Sequence, residues 1–217
     1  METLDNSTRI KICGLSNTDD VAAAVEAGAD YVGFVAFERS ARHVPVSEFG
    51  PLVASSGPAL AVALAVNPSD ELIDAMLEAA PIDMIQLHGD ETVERVCQLR
   101  ERSGLPVMKA VGLGSRSDLA ALDRYAEAAD QLLVDTRAPP GSPVPGGTGI
   151  AFDWTLIAER NWTLPWMLAG GLDAGNVATA IRMTGATQVD VSSGVESSPG
   201  RKDPARFAEF ITAARGL

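Results

Sequence analysis

Cysteine is scarce in this sequence, with Cys13 and Cys97 its only two. Two thiols so far apart in the chain do not make a disulfide framework, and they are consistent with a reducing compartment. Positive charge is also in short supply: 17 Lys and Arg stand against 29 Asp and Glu, a formal net charge of −12. Such a chain repels a phosphate backbone or an anionic bilayer, which argues against nucleic acid or a membrane as its partner. Long apolar runs are missing as well; the longest extends over residues 59–66, where a membrane-spanning helix needs roughly 20 residues. Residues 1–9 have neither a basic start nor an apolar stretch of signal-peptide length, so a cytoplasmic location is expected. No His-x-His, cysteine cluster or carboxylate triad has metal-ligand spacing, so no metal is expected.

What is present belongs to a globular domain. Apolar residues make up 46% and charged residues 21% of 217 positions, enough for a sizeable core in one large domain or two small ones. Short, β-branched apolar runs recur at residues 9–13, 30–35, 60–66, 83–88, 107–111, 131–135, 166–169 and 188–192. Several intervals between them have helical periodicity, at 19–27, 71–79, 91–102, 119–128, 176–183 and 204–215. The first of these stops at Gly28 and the last starts at Pro204, residues that suit a helix end and a helix start respectively. Eight strands, each followed by a helix, predict an α/β fold, a single (β/α)8 TIM barrel over 1–217 with residues 1–8 a short N-terminal extension. A doubly wound open sheet competes less well, because no Gly-x-Gly-x-x-Gly follows the first strand.

A partial repeat runs through the even strands. Asp30, Asp83 and Asp130 each open one, and five positions on stand Val35, His88 and Asp135. Side chains alternate across a pleated strand, so an odd offset puts each opening aspartate on the face opposite its later partner. If His88 and Asp135 look into the barrel mouth, the three opening aspartates sit outward at the opposite rim, and a structural role is expected for them.

Barrels of this kind place chemistry at the C-terminal ends of the strands and commonly bind phosphate after strands seven and eight. Those ends carry Cys13, the basic loop with Arg42 and His43, Asn67, His88, Asp135, Gly170-Gly171 and the run from Asp190 to Gly194. Glycine turns let backbone N–H groups approach an oxyanion closely, and two such turns in adjacent units point to a phosphate site. Cys13 follows Lys11 by two residues, roughly 6.6 Å along a strand, so an ammonium is expected to favour its thiolate. Cys97 falls in a helical stretch and reads as a packing residue. Asp135 emerges from the apolar run Leu132-Leu133-Val134 and is a candidate acid. The segment 136–149, rich in Pro and Gly, reads as a lid or an irregular excursion directly after that acid.

Taken together these pieces resemble the phosphoribosylanthranilate isomerase family of tryptophan biosynthesis. The resemblance rests on Lys11-Ile12-Cys13-Gly14, Gly33-Phe34-Val35 with Ser40-Ala41-Arg42, Gln86-Leu87-His88-Gly89-Asp90-Glu91, Leu133-Val134-Asp135, Gly146-Gly147-Thr148-Gly149, Ala169-Gly170-Gly171-Leu172, and Asp190 through Glu196 to Lys202-Asp203. It implies an Amadori rearrangement of N-(5-phosphoribosyl)anthranilate without a cofactor, with Asp135 as general acid and Cys13 as general base. It further implies that Arg42 orients the anthranilate end, that His88 and Asp190 line the pocket, and that Gly171, Ser193 and Gly194 take the phosphate, with Gly170 and Ser192 beside them. The expected partner is a small phosphosugar, and the expected assembly a monomer or homodimer.

Two positions depart from the family pattern. Ile150 stands where a polar residue is usual, and the third strand, Val62 to Val66, lacks a customary Gly and Phe. Other readings are a non-catalytic phosphate-binding barrel or a neighbouring phosphosugar enzyme, such as indoleglycerol-phosphate synthase or a ribulose-phosphate epimerase. The synthase needs a catalytic Lys and Glu at strand ends, for which Lys11 and Lys109 lie in suitable strands, and the epimerase needs a metal or paired aspartates. The pattern around Cys13 and Asp135 argues against both.

Overall fold

The computed structural model describes residues 8–139, 141–142, 144, 146 and 149–216. The expected N-terminal extension, apart from Thr8, and Gly147 and Thr148 of the glycine-rich segment lie outside these residues. Eight parallel strands close into a barrel in sequence order: β1 (Arg9–Cys13), β2 (Tyr31–Ala36), β3 (Leu60–Ala65), β4 (Met84–Leu87), β5 (Val107–Leu113), β6 (Gln131–Thr136), β7 (Trp166–Leu168) and β8 (Gln188–Val191). Closure is through β1 and β8, where Lys11 stands beside Asp190. Every predicted strand is present, with ends shifted by no more than two residues. No helix of the described residues is long and apolar enough to cross a membrane.

Around the barrel run α1 (Thr18–Glu26), α2 (Phe49–Ala54), α3 (Asp70–Ala79), α4 (Val93–Ser103), α5 (Leu119–Ala126), α6 (Val177–Thr184) and α7 (Pro204–Arg215). Their starts are written in the sequence. Asn17, Ser69 and Thr92 each accept a backbone N–H of the first turn of α1, α3 and α4, and Asp203 does so for α7, where Pro204 opens the helix. Gly104 and Gly185 end α4 and α6 in the left-handed conformation. The short α2 had no periodic signal to predict it.

The expectation of a helix after every strand fails once. Among the described residues the β6–β7 connection holds only one turn of 3-10 helix, Trp154–Leu156. Proline and glycine crowd the first half of this connection, and Pro165 ends it, leaving little room for a helix. Aromatic packing covers the barrel wall there instead. Trp162 stacks on Trp166 with ring centroids 4.2 Å apart and planes 14° from parallel, while Phe152 and Ile157 are buried in the core.

The strand–helix layer forms one continuous apolar core, and a second cluster of Tyr31, Val62, Met84, Met108, Leu133 and Met167 fills the barrel interior. The divergent third strand therefore packs normally: Val62 and Ala63 are fully buried. At the N-terminal rim the aspartate repeat has one geometry. Asp30 accepts the Ile10 N–H at 2.7 Å, Asp83 the Ala61 N–H at 2.7 Å, and Asp130 the Val107 N–H at 2.9 Å. Each aspartate also donates its own N–H to the carbonyl of the same residue. Each carboxylate thus accepts a buried backbone amide of the preceding odd strand, a role that needs Asp immediately before the even one.

Candidate active site

The C-terminal ends of the strands surround a cleft of about 700 Å³. Cys13 (β1), Arg42, His88, Asp135 (β6), Gly170, Gly171, Asp190 (β8), Ser192 and Ser193 all line it. Gly194 stands behind them: a Cβ there would lie 2.0 Å from the Leu172 carbonyl oxygen, so this glycine lets the turns after β7 and β8 touch. Val35, Phe37, Leu64 and Val66 give the cleft an apolar wall beside Cys13. His43 pairs its backbone with Val35 and does not line the cleft.

Glycines bring backbone into the site. Gly170 and Gly171 have φ of +85° and +62°. A Cβ on Gly170 would lie 2.4 Å from Thr136 Oγ1 and 3.0 Å from Asp135 Oδ1, and one on Gly171 would collide with the backbone of Ile150 and Ala151. The turn after β7 therefore passes directly over the candidate acid. Gly146, from the connection after β6, does the same from the other side, since its Cβ would meet His88 Nε2 at 2.7 Å and Asp135 Oδ2 at 2.8 Å. The Ile150 side chain is exposed, and its carbonyl accepts the Thr136 hydroxyl.

Asp135 is buried at the end of β6. Its Oδ1 accepts the Thr136 N–H at 2.7 Å and its Oδ2 lies 3.2 Å from His88 Nε2. On β4, Gln86 Nε2 lies 3.0 Å from His88 Nδ1. Two residues apart on a strand, Gln86 and His88 share a face, so the chain Gln86–His88–Asp135 follows from the pleat.

The thiol corrects the expectation drawn from Lys11. Burial pushes the Cys13 thiol above its ordinary value, the Lys11 ammonium opposes this, and Asp190 adds to it. Lys11 is fully buried and its Nζ lies 2.8 Å from Asp190 Oδ1. Burial alone would lower its pKa, but Asp190 and the thiol outweigh that and hold it protonated. With its charge matched by Asp190, Lys11 does not bring Cys13 into the thiolate range in the free site, and it is not open to hold an anion.

Arg42 is also engaged. Its Nε and Nη2 bind Glu196 Oε1 and Oε2 at 2.6 and 2.9 Å, a bidentate pair. Lys202, itself buried, reaches Glu196 Oε1 at 2.9 Å, the Ser192 carbonyl at 2.9 Å and Ser192 Oγ at 3.3 Å. Burial depresses the Lys202 ammonium, and Glu196 opposes this. Although burial penalises the Glu196 carboxylate, Arg42 and Lys202 hold it below its ordinary range. One carboxylate thus serves two cations, leaving an excess positive charge beside the turn after β8. Glu196 and Lys202 face each other in a two-stranded hairpin, β9 (Glu196–Ser198) and β10 (Arg201–Lys202). Sequence reasoning assigned neither residue a role, yet Pro199-Gly200 between them is a turn signal that brings the two together.

Lys109 is not a strand-end catalyst. It is buried, bonded to Glu91 Oε2 at 2.8 Å and to the Gly89 carbonyl at 2.7 Å. Glu91 in turn accepts the N–H groups of Asn67 and Gly89. The pair braces the loops after β3 and β4, immediately beyond His88.

The sequence matches the family model of N-(5'-phosphoribosyl)anthranilate (PRA) isomerase over residues 10–213. It is 55% identical over 208 residues to the N-(5'-phosphoribosyl)anthranilate isomerase of Cereibacter sphaeroides, covering 95% of this chain and 98% of that protein. Its fold superimposes on crystalline phosphoribosyl anthranilate isomerase of Thermotoga maritima with a TM-score of 0.86 and 37% identity, over 97% of this chain and 100% of the other. A phosphoribosyl anthranilate isomerase solved in complex with reduced 1-(o-carboxyphenylamino)-1-deoxyribulose 5-phosphate aligns at a TM-score of 0.82 and 35% identity, over 97% and 100% of the two chains. This chain belongs to the N-(5'-phosphoribosyl)anthranilate isomerase family.

Proposed function

We propose that the cleft performs the Amadori rearrangement of N-(5'-phosphoribosyl)anthranilate to 1-(2-carboxyphenylamino)-1-deoxyribulose 5-phosphate, with Asp135 as general acid and Cys13 as general base. The observation that carries this reading is that a buried carboxyl and a buried thiol face one cleft at the mouth of a barrel of this family. Protonated Asp135 gives its proton to the furanose ring oxygen as the bond from that oxygen to C1 breaks, and the nitrogen lone pair forms the Schiff base. Cys13 then removes the proton from C2, the electron pair forms the enolamine, and tautomerisation gives the ketone. No atoms are gained or lost, and no cofactor enters.

The surrounding groups fit these steps. The carboxylate left on Asp135 accepts the Thr136 N–H and has His88 Nε2 3.2 Å from its other oxygen. The glycine turns at Gly170-Gly171 and Ser192-Ser193-Gly194 offer backbone to the phosphate. That Arg42 lines the cleft and is held by Glu196 supports a role for it in orienting the anthranilate carboxylate. The test mixes purified protein with phosphoribosylanthranilate and follows loss of the anthranilate fluorescence. Turnover by the natural chain that falls by about 100-fold or more in Asp135→Asn and in Cys13→Ser supports the reading. A natural chain that binds the substrate without turning it over makes the cleft a phosphosugar-binding site instead.

A further inference from the structure

We infer that Gln86 is a positioning residue: its side-chain amide donates to His88 Nδ1 and holds the ring as the Nε2–H tautomer, the form that donates to Asp135. Gln86 is fully buried on β4, its Nε2 is 3.0 Å from His88 Nδ1, and its Oε1 has no partner among the described residues. On the far side of the ring, Nε2 lies 3.2 Å from Asp135 Oδ2. A neutral imidazole has one donor and one acceptor nitrogen, and an ionised carboxylate only accepts. Once Asp135 has given up its proton, Nε2 must therefore carry hydrogen and Nδ1 must accept, which calls for a donor at the position of the Gln86 amide nitrogen.

The two tautomers act on Asp135 in opposite ways. With hydrogen on Nε2, the ring stabilises the carboxylate that forms as the acid spends its proton. With hydrogen on Nδ1, Nε2 becomes an acceptor and competes with the substrate's ring oxygen for that proton. Reversing the Gln86 amide to suit the second tautomer would leave both amide hydrogens without partners, whereas in the present orientation one of them is used by His88 Nδ1 and the other, with the carbonyl oxygen, has no partner among the described residues. Gln86 thus contributes to proton transfer from a distance, through the ring.

The inference rests on Asp135 as the acid, and its test has a readout independent of turnover. The protein has two histidines, so a long-range nitrogen–proton correlation spectrum resolves both rings, and the ring lost in His88→Asn identifies His88. In the natural chain at neutral pH His88 is expected as the Nε2–H tautomer. In Gln86→Met it is expected to mix tautomers, and in Gln86→Glu to become the doubly protonated imidazolium. With Gln86→Met, kcat is expected to fall about tenfold or more with KM within about threefold, the pattern of a lost transition-state interaction. In a His88→Asn background the same change leaves kcat where it was. A natural chain whose His88 carries hydrogen on Nδ1, or a Gln86→Met protein that keeps both the tautomer and kcat, overturns the inference. If neither variant folds, the tautomer of the natural chain alone decides. An inactive natural chain with the expected tautomer counts against Asp135 as the acid and leaves the ring assignment standing.

Discussion

At the N-terminal rim, Asp30, Asp83 and Asp130 each accept one backbone N–H and stay in contact with water. At the mouth, Asp135, Asp190 and Glu196 are buried, and each relies on a particular partner: the His88 ring, the Lys11 ammonium, or Arg42 together with Lys202. The difference is one of solvent. A rim carboxylate that loses its amide is still hydrated, whereas a mouth carboxylate that loses its cation is a stranded buried charge. Rim acids are therefore expected to govern stability weakly and activity not at all, while mouth acids govern activity strongly and stability in proportion to the charge they leave unmatched.

The largest expected effect tests the second half of that contrast. Asp135→Asn keeps the shape and removes the acid, so turnover should fall by about 10²–10⁴, while the thermal midpoint stays near that of the natural chain because no cation is left behind. A variant that turns over normally, or one that loses its fold, would erase the distinction between the acid of the site and the caps of the rim.

Next in size is Lys11→Met, which leaves Asp190 buried without its ammonium. Removing one partner of such a pair costs about 3–5 kcal/mol, read as a lowered denaturant midpoint. Adding Asp190→Asn should recover most of the loss, since it removes the charge that was stranded. If the single variant is as stable as the natural chain, water reaches Asp190 and the mouth is not the low-dielectric region described.

A smaller effect concerns pH. The reaction needs the thiolate of Cys13 together with the acid form of Asp135, one microstate of a pair that has lost a single proton. Its share is constant between the two ionisations of the pair. Burial raises the thiol, so kcat/KM should stay level through neutrality and decline only above the ordinary thiol range. In Asp135→Asn the carboxyl no longer titrates, and the residual kcat/KM should instead climb about tenfold per pH unit as the thiolate forms. An alkaline decline at or below the ordinary thiol value would mean that Lys11 outweighs burial.

These contrasts were unevenly legible in the sequence. The strands read clearly because each buried run is short, β-branched and punctuated, and the rim aspartates could be turned outward by pleat parity alone. That the described residues between β6 and β7 hold no α-helix was not legible, because the barrel wall there is covered by a tertiary stack of Trp162 on Trp166 rather than by a local pattern. Which residues end at the mouth was readable from strand ends, so Cys13, Asp135, His88 and the glycine turns all come to one cleft. How their charges are matched was not. Lys11 and Cys13 lie two residues apart, but the Asp190 that claims the ammonium comes from the strand that closes the barrel, 179 residues away in sequence. Arg42 likewise finds its partner 154 residues on. Spacing reports neighbours along a strand, whereas electrostatics depends on neighbours across the closed sheet.

The smallest expected effect probes the rim. Asp83→Ala removes the acceptor of the Ala61 N–H, and because Asp83 itself is exposed, water can take the place of its carboxylate, so the loss is about 1 kcal/mol. Turnover should be unchanged, because Asp83 lies at the opposite end of β4 from His88 and its loss strands no charge. Asp83→Asn, which keeps an acceptor oxygen, should recover part of the stability. Equal melting of all three proteins would mean that the aspartate repeat has no energetic role. A drop in turnover beyond the small change in folded fraction would mean that the two ends of the barrel are coupled through β4, and the division between rim and mouth would have to be redrawn along that strand.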